Sequence, residues 1–178
     1  MNNCMTTFTK VQFNTFEPEE EKIQIADIAH ALSMMTRANG HFPEFFSVGQ
    51  HCIQCAREAI ARNYVPEVVL ACLLHDGSEA YLADVARPVK RNMTMYIQIE
   101  SQLQELIYKK FLGYVPKGEE AVLIKNIDDA CLYYEFLHFM GEKVYAAEPV
   151  MMSAPTYEVR PMKEVEEEFL GLFRQFST

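Results

Sequence analysis

Six stretches of the chain carry apolar residues at helical spacing. In "IQIADIAHALSMMTR", running from Ile23 to Arg37, the residues Ile25, Ile28, Ala29, Leu32 and Met35 make one apolar face. "NGHFPEFF" breaks that pattern. A second helix is expected over "SVGQHCIQCAREAIARN", where Ser47 is a good N-cap and Gln50, three residues on, completes a capping box. Pro66 suits the first turn of "PEVVLACLLHD", and Gly77 suits its end. "NMTMYIQIESQLQELIYKKFLG" reads as a long amphipathic helix closed by Gly113, and "KGEEAVLIKNIDDACLYYEFLHFMG" as another closed by Gly141. A loop with Pro149 and Pro155 leads to a last helix near "MKEVEEEFLGLFRQF", about residues 160–176. Residues 1–21 read as an irregular arm. No internal repeat and no long strand-like alternation interrupts this, and the loops are too short to separate domains. The expectation is an all-α, single-domain helical bundle over residues 1–178.

Composition narrows the partners. Of 178 residues, 49% are hydrophobic and 23% charged, an ordinary globular balance. The net charge of −9 argues against a broad basic surface for a nucleic-acid polymer. It leaves room for a small phosphorylated ligand held by one or two cations and a metal. No apolar run approaches a membrane span, and "MNNCMTTFTKVQFNTFEPEEEK" lacks the apolar core of a signal peptide, so a cytoplasmic address is expected. The five cysteines are an odd number and fit reduced thiols better than a disulfide framework. Cys52 and Cys55 form a CxxC within a helix, without a second pair, and read as small buried hydrophobes. The aromatic residues Tyr133, Tyr134, Phe136 and Phe139 read as core or as a subunit interface, which is compatible with a homodimer.

The chemistry gathers in "LLHDGSEAYLADVARPVK", residues 73–90. An apolar helix ends there on His75 and Asp76, followed by Glu79, Asp84, Arg87 and Lys90. An aspartate at a helix C-terminus opposes the helix dipole unless a cation neutralises it. First-row metals take imidazole and carboxylate ligands. The chain offers His51 early in one helix, His75 and Asp76 at the end of the next, and Asp128 within a later one. A bundle can aim such groups into one core pocket. Adjacent residues on a helix point about 100° apart, so His75 and Asp76 share an ion only where the helix ends or distorts.

The arrangement resembles the HD-domain superfamily of metal-dependent phosphohydrolases, whose signature is H…HD…D. More narrowly, it resembles the small bacterial and phage branch that includes the 5′-deoxynucleotidases. The matching segments are "TRANGHFPEFFSV", "SVGQHC", "LLHDGSEAYLADVARPVK" and "IKNIDDACLYYE", within roughly residues 25–140. The resemblance implies one divalent metal (Mn, Co, Fe, Ni, Zn or Mg) on His51, His75, Asp76 and Asp128. It implies Glu79 and Asp84 as catalytic carboxylates and Arg37 as the holder of the substrate phosphate. Asp129 competes with Asp128 for the fourth ligand position; the spacings from Lys125 and to Glu135 favour Asp128. Gly49, Ala83 and Ala86 stand where the branch commonly has alanine, glycine and a proline-type residue. None of the three removes a ligand.

The function this implies is hydrolysis of a phosphomonoester, a nucleoside 5′-monophosphate or a similar small phosphate. The other readings are a binding or regulatory HD module without turnover and a cyclic-nucleotide phosphodiesterase. An acid–base carboxylate pair favours the enzyme, because a binding module has no need of one. Taken alone, Arg37 reads equally well as a surface ion pair. Arg87 and Lys90 read as added positive potential or as solvated surface.

Overall fold

The computed structural model describes residues 3–177. Ile25–Met34 forms α1, burying Ile28, Ala29 and Leu32. It stops before the apolar pattern does, because Met35 is extended (ψ 125°) and Thr36 pairs with Ser47 in an antiparallel bridge. That bridge closes the "NGHFPEFF" loop, and the Arg37 N–H donates to the Phe46 carbonyl at 2.8 Å. The loop opens with a 3-10 turn, Arg37–Gly40, in which Ala38 and Asn39 take left-handed conformations (φ 51° and 52°).

The second helix, α2 (Val48–Ala61), starts as its sequence dictates. The Gln50 N–H donates to the Ser47 hydroxyl and the Ser47 N–H donates to Gln50 Oε1, a complete capping box. Gly49 faces α1: a Cβ there would stand 3.1 Å from the Ser33 backbone. The glycine therefore sets how closely α1 and α2 approach. Pro66 opens α3 (Pro66–Leu74), whose residues from Val68 to Leu74 are all buried.

The end of α3 corrects one expectation. Gly77 is not a left-handed helix cap, since α3 ends at Leu74 and Gly77 opens a 3-10 turn, Gly77–Tyr81. An added Cβ on Gly77 would meet Ile107 Cδ1 at 3.3 Å, so the missing side chain serves close packing against a later helix. That helix, α5 (Thr94–Leu112), follows a one-turn α4 (Arg87–Lys90). Next comes α6 (Glu119–Met140). Gly113 and Gly141 do take the left-handed conformation (φ 82° and 67°) that ends α5 and α6. The last helix, α7 (Met162–Phe176), buries Val165 and Phe169 and lies against α1, α2 and α3. The fold is all-α, with seven α-helices among the described residues. No described helix is long and apolar enough to cross a membrane.

Two segments are more ordered than the sequence pattern suggests. The N-terminal arm is a hairpin of β1 (Met5–Thr6) and β2 (Gln12–Phe13), with Met5 opposite Phe13. Phe13 is buried and stacks on Tyr81 at 4.3 Å, while the Thr9 N–H and hydroxyl donate to Asp27 at 2.7 and 2.9 Å. The second segment is the strap of residues 142–161, which lies along one stripe of α2. Gln50 and Gln54 donate to the carbonyls of Glu158 and Thr156, and Arg62 donates to that of Val150. Glu58 accepts the N–H groups of Met152 and Ser153 at 2.9 and 2.7 Å. Residues 50, 54, 58 and 62 recur every four positions, so one helix face reads an extended backbone.

Candidate metal centre and active site

His51, wholly buried in the first turns of α2, is fixed through Nδ1 by Glu135 Oε1 at 2.5 Å. His75 follows the last residue of α3, and its Nδ1 donates to the Cys72 carbonyl at 2.8 Å. A carbonyl and a carboxylate both accept, so each Nδ1 carries the hydrogen and each Nε2 is left facing the site. The two Nε2 atoms stand 3.2 Å apart. Two lone pairs at that distance repel unless a proton or a metal ion lies between them.

Two carboxylates close on the same point. Asp76 leaves the helical path (φ −100°, ψ 16°), which is how adjacent residues come to face one centre. Its Oδ2 is 3.3 Å from His75 Nε2 and 3.8 Å from His51 Nε2. Asp128 reaches in from α6, with Oδ1 at 3.3 Å from His51 Nε2 and 3.8 Å from His75 Nε2. Ligands held about 2.0–2.2 Å from a common ion stand about 2.8–3.6 Å apart in tetrahedral or octahedral arrangements. The separations between the imidazoles and from each imidazole to the two carboxylates, 3.2–3.8 Å, lie in or within a few tenths of an ångström of that range. The competition between Asp128 and Asp129 is also resolved in space. Asp129 turns to Lys125, Arg87 and the Tyr145 hydroxyl, away from the imidazoles.

The charges are mutually dependent. Burial and the Arg37 charge oppose a proton on His51, yet Glu135 and the hydrogen bonds with Asp128 and Glu135 raise it to about 9. Burial opposes the charge on His75 as well, and Asp76 and Asp128 overcome it. Burial likewise works against the charge on Asp76, but His75, His51 and Arg37 hold it far below the usual carboxylate range. Asp128 is lowered against burial by hydrogen bonds from both histidines. Each carboxylate is thus held ionised by positive charge beside it, a role a bound cation can also fill.

Sulfur is close by. The ligand atoms of His51, Cys55 and His75, and separately those of Cys52, His75 and Asp76, lie within 4.8 Å of one another, so His/Cys/Asp groups that could hold a metal ion are present. Burial pushes the Cys52 thiol up to about 11 and that of Cys55 well above its ordinary value. The ready anions at the centre are the carboxylates.

Around this centre the remaining residues singled out in the sequence converge. Arg37 is only 8% exposed, which excludes a surface ion pair. Its Nη1 lies 3.6 Å from Asp76 and 4.0 Å from Asp84, and its Nη2 3.3 Å from Glu135. Glu135 therefore joins the imidazole of His51 to the guanidinium of Arg37. Glu79, on the 3-10 turn, is buried; its Oε2 accepts no hydrogen bond among the described residues, and Lys90 approaches Oε1 at 3.8 Å. Burial, then Asp76 and Asp84, push its carboxyl well above the ordinary value. Asp84 is raised by burial, with Arg37 pulling the other way. Arg87 is not free surface charge: it donates to Asp128 Oδ2 at 2.8 Å and to Asp129 at 2.9 Å. Ala83, beside Asp84, holds φ 146°, a conformation that favours the glycine common in the resembling branch.

Two clefts open onto the centre. One, of about 490 Å³, contains Arg37, Glu79, Asp84, Phe42, Leu132 and Phe136 in its lining. The other, of about 420 Å³, contains Ser78, Ser101, Gln104 and Tyr108. They share Asp76, Lys90, Lys125 and Asp128.

No family model matches the chain. It is 34% identical over 106 residues to the uncharacterized protein YfdR of Escherichia coli (strain K12), covering 59% of this chain and 56% of that protein. It is 27% identical over 172 residues to the uncharacterized protein RCAP_rcc00048 of Rhodobacter capsulatus, covering 89% of this chain and 87% of that protein. The chain thus spans a little over half the length of the Escherichia coli relative. Neither name states an activity, so a functional reading rests on the site itself.

Proposed function

We propose that this chain is a divalent-metal-dependent phosphohydrolase of the HD-domain type, acting on phosphomonoesters of about nucleoside 5′-monophosphate size. One observation carries the reading: His51, His75, Asp76 and Asp128 converge beside a buried arginine, the buried carboxyl of Glu79 and the half-buried carboxyl of Asp84 in one cleft. The ion, one of Mn, Co, Fe, Ni, Zn or Mg, would supply hydroxide near neutral pH and polarise the phosphoryl group.

The protein's own groups do the rest. Arg37 offers a rigid pair of donors to the phosphoryl oxygens and keeps its charge when buried. Glu79, whose Oε2 accepts no hydrogen bond among the described residues and whose carboxyl is pushed up by burial, delivers a proton to the leaving alkoxide. Asp84, next to Arg37, orients and deprotonates the attacking water. The P–O bond to water forms as the P–O bond to the alcohol breaks. Phe42, Leu132 and Phe136 give the organic group an apolar wall, in a cleft of a size that suits a small molecule. A small phosphorylated substrate, rather than a nucleic-acid polymer, is the proposed partner, and free cysteines, most of them buried, suit a reducing compartment such as the cytoplasm.

A phosphodiester is the second reading, and the second cleft favours it, because it gives room for an ester group on the far side of Asp76 and Asp128. Assays of the metal-loaded protein on nucleoside 5′-monophosphates, a cyclic nucleotide and bis(p-nitrophenyl) phosphate separate the two. Release of inorganic phosphate from the monophosphates supports the first reading, and cleavage of diesters alone supports the second.

A further inference from the structure

The two imidazoles also have sulfur within reach. Cys55, one turn beyond His51 on α2, places Sγ 3.6 Å from His51 Nε2. Nitrogen at about 2.0 Å and sulfur at about 2.3 Å from a tetrahedral ion stand about 3.5 Å apart. The observed separation needs almost no movement of either residue. Cys55 belongs to the core and lines neither cleft, whereas Asp76 and Asp128 line both. The same pair of histidines thus borders two chemically different donor sets, one of oxygen towards solvent and one of sulfur towards the core.

We propose that the centre is ambidentate: a hard divalent cation takes His51 and His75 with Asp76 and Asp128, whereas a thiophilic divalent cation takes His51 and His75 with Cys55. The inference rests on the metal-centre reading above. Carboxylate suits ions such as Mn and Mg, and thiolate suits softer ones. On binding, the Cys55 S–H bond breaks, an S–metal bond forms and the proton leaves to solvent, with no change of oxidation state. The soft ion is drawn towards the core and away from Arg37, Glu79 and Asp84, so this form does not turn over. Metal identity then decides whether the protein is active or stalled.

The test uses Cd²⁺ as the thiophilic probe and Mn²⁺ as the hard one on the full chain. Cd²⁺ should produce an ultraviolet thiolate-to-metal charge-transfer band that saturates near one equivalent. Cys55→Ala should remove the band and weaken Cd²⁺ binding about tenfold or more, the scale expected for losing a metal contact. Mn²⁺ binding, followed by electron paramagnetic resonance, should stay within about twofold, since no carboxylate is lost. If Cys55→Ala does not fold, X-ray absorption on the wild-type Cd²⁺ protein decides, because sulfur is then either present or absent among the ligands. Bound Cd²⁺ without sulfur, or a band that survives Cys55→Ala, overturns the inference while leaving the hard-metal centre standing if Mn²⁺ binds. Binding of neither ion overturns both.

Discussion

His51 and His75 point their Nε2 atoms at each other across 3.2 Å, while each Nδ1 is held by a fixed acceptor, Glu135 for one and the Cys72 carbonyl for the other. Neither ring can turn away without breaking its bond. A cation that binds between them stabilises the folded state by mass action, by about 2.7 kcal/mol at a hundred times its dissociation constant. A saturating divalent ion should therefore raise the melting temperature of the wild type. His75→Ala and Asp128→Ala should remove most of that rise. Equal thermal shifts in the wild type and both variants would place the ion elsewhere.

Glu135, wholly buried, touches both His51 and Arg37. Partners that orient a metal-binding histidine are worth about ten- to a hundredfold in metal affinity. Glu135→Gln should lower Mn²⁺ affinity on that scale and raise the Michaelis constant as Arg37 loses its anchor. Arg37→Ala should raise the Michaelis constant and slow turnover, with Arg37→Lys restoring part. Metal titrations and steady-state kinetics on the three variants check this; wild-type values in Glu135→Gln would reduce that residue to core filling.

Glu79 and Asp84 flank the cleft without being placed among the ligands. Glu79→Gln and Asp84→Asn should retain metal content and slow turnover by about a hundredfold or more, the usual scale for acid–base help. Metal analysis alongside the rates is essential. Loss of the ion in either variant would move that residue into the coordination shell, and unchanged rates in both would remove the pair from the mechanism.

Glu58 makes stability depend on acidity far from the site. Burial opposes its charge, but hydrogen bonds from Ser153, Met152 and Arg62 outweigh it and hold the carboxyl below its ordinary value. A carboxylate depressed on folding contributes stability that is complete above its unfolded pKa, about 4.3, and is lost as pH falls through the folded value. Glu58→Gln should melt below the wild type at pH 7, and the gap should close in acid below about pH 4. A gap that does not vary with pH would mean that the charge on Glu58 does not hold the strap.

What the sequence revealed and what it hid follow from the range of each interaction. The capping box at Ser47 and Gln50, the proline at the start of α3 and the left-handed glycines after α5 and α6 are local, and each is legible in a few residues. The helical pattern overran α1 because the Thr36–Ser47 bridge, eleven positions apart, overrides propensity at Met35. The role of Gly77 depends on Ile107, thirty positions away, and was not visible as packing. The four residues proposed as metal donors are legible as a spaced pattern of residue types. The strap was not, since the partners of Gln50, Gln54 and Glu58 are backbone groups, which leave no trace in composition. Glu135 could be suspected from its seven-residue spacing to Asp128, but its bond to His51 spans 84 positions. Arg87 reads as added positive potential or as solvated surface; it is exposed, and nothing local shows that its guanidinium also reaches Asp128.

In the proposed mechanism one divalent ion on His51, His75, Asp76 and Asp128 works together with Arg37, Glu79 and Asp84 on a phosphomonoester. Phosphate release from a nucleoside 5′-monophosphate, measured together with bound metal in the wild type and in His75→Ala, tests it most directly. The predicted result is one ion per chain and metal-dependent turnover in the wild type, with both lost together in the variant. A wild-type protein that carries its ion and releases no phosphate from any nucleoside monophosphate, with any of the candidate metals, would contradict the claim.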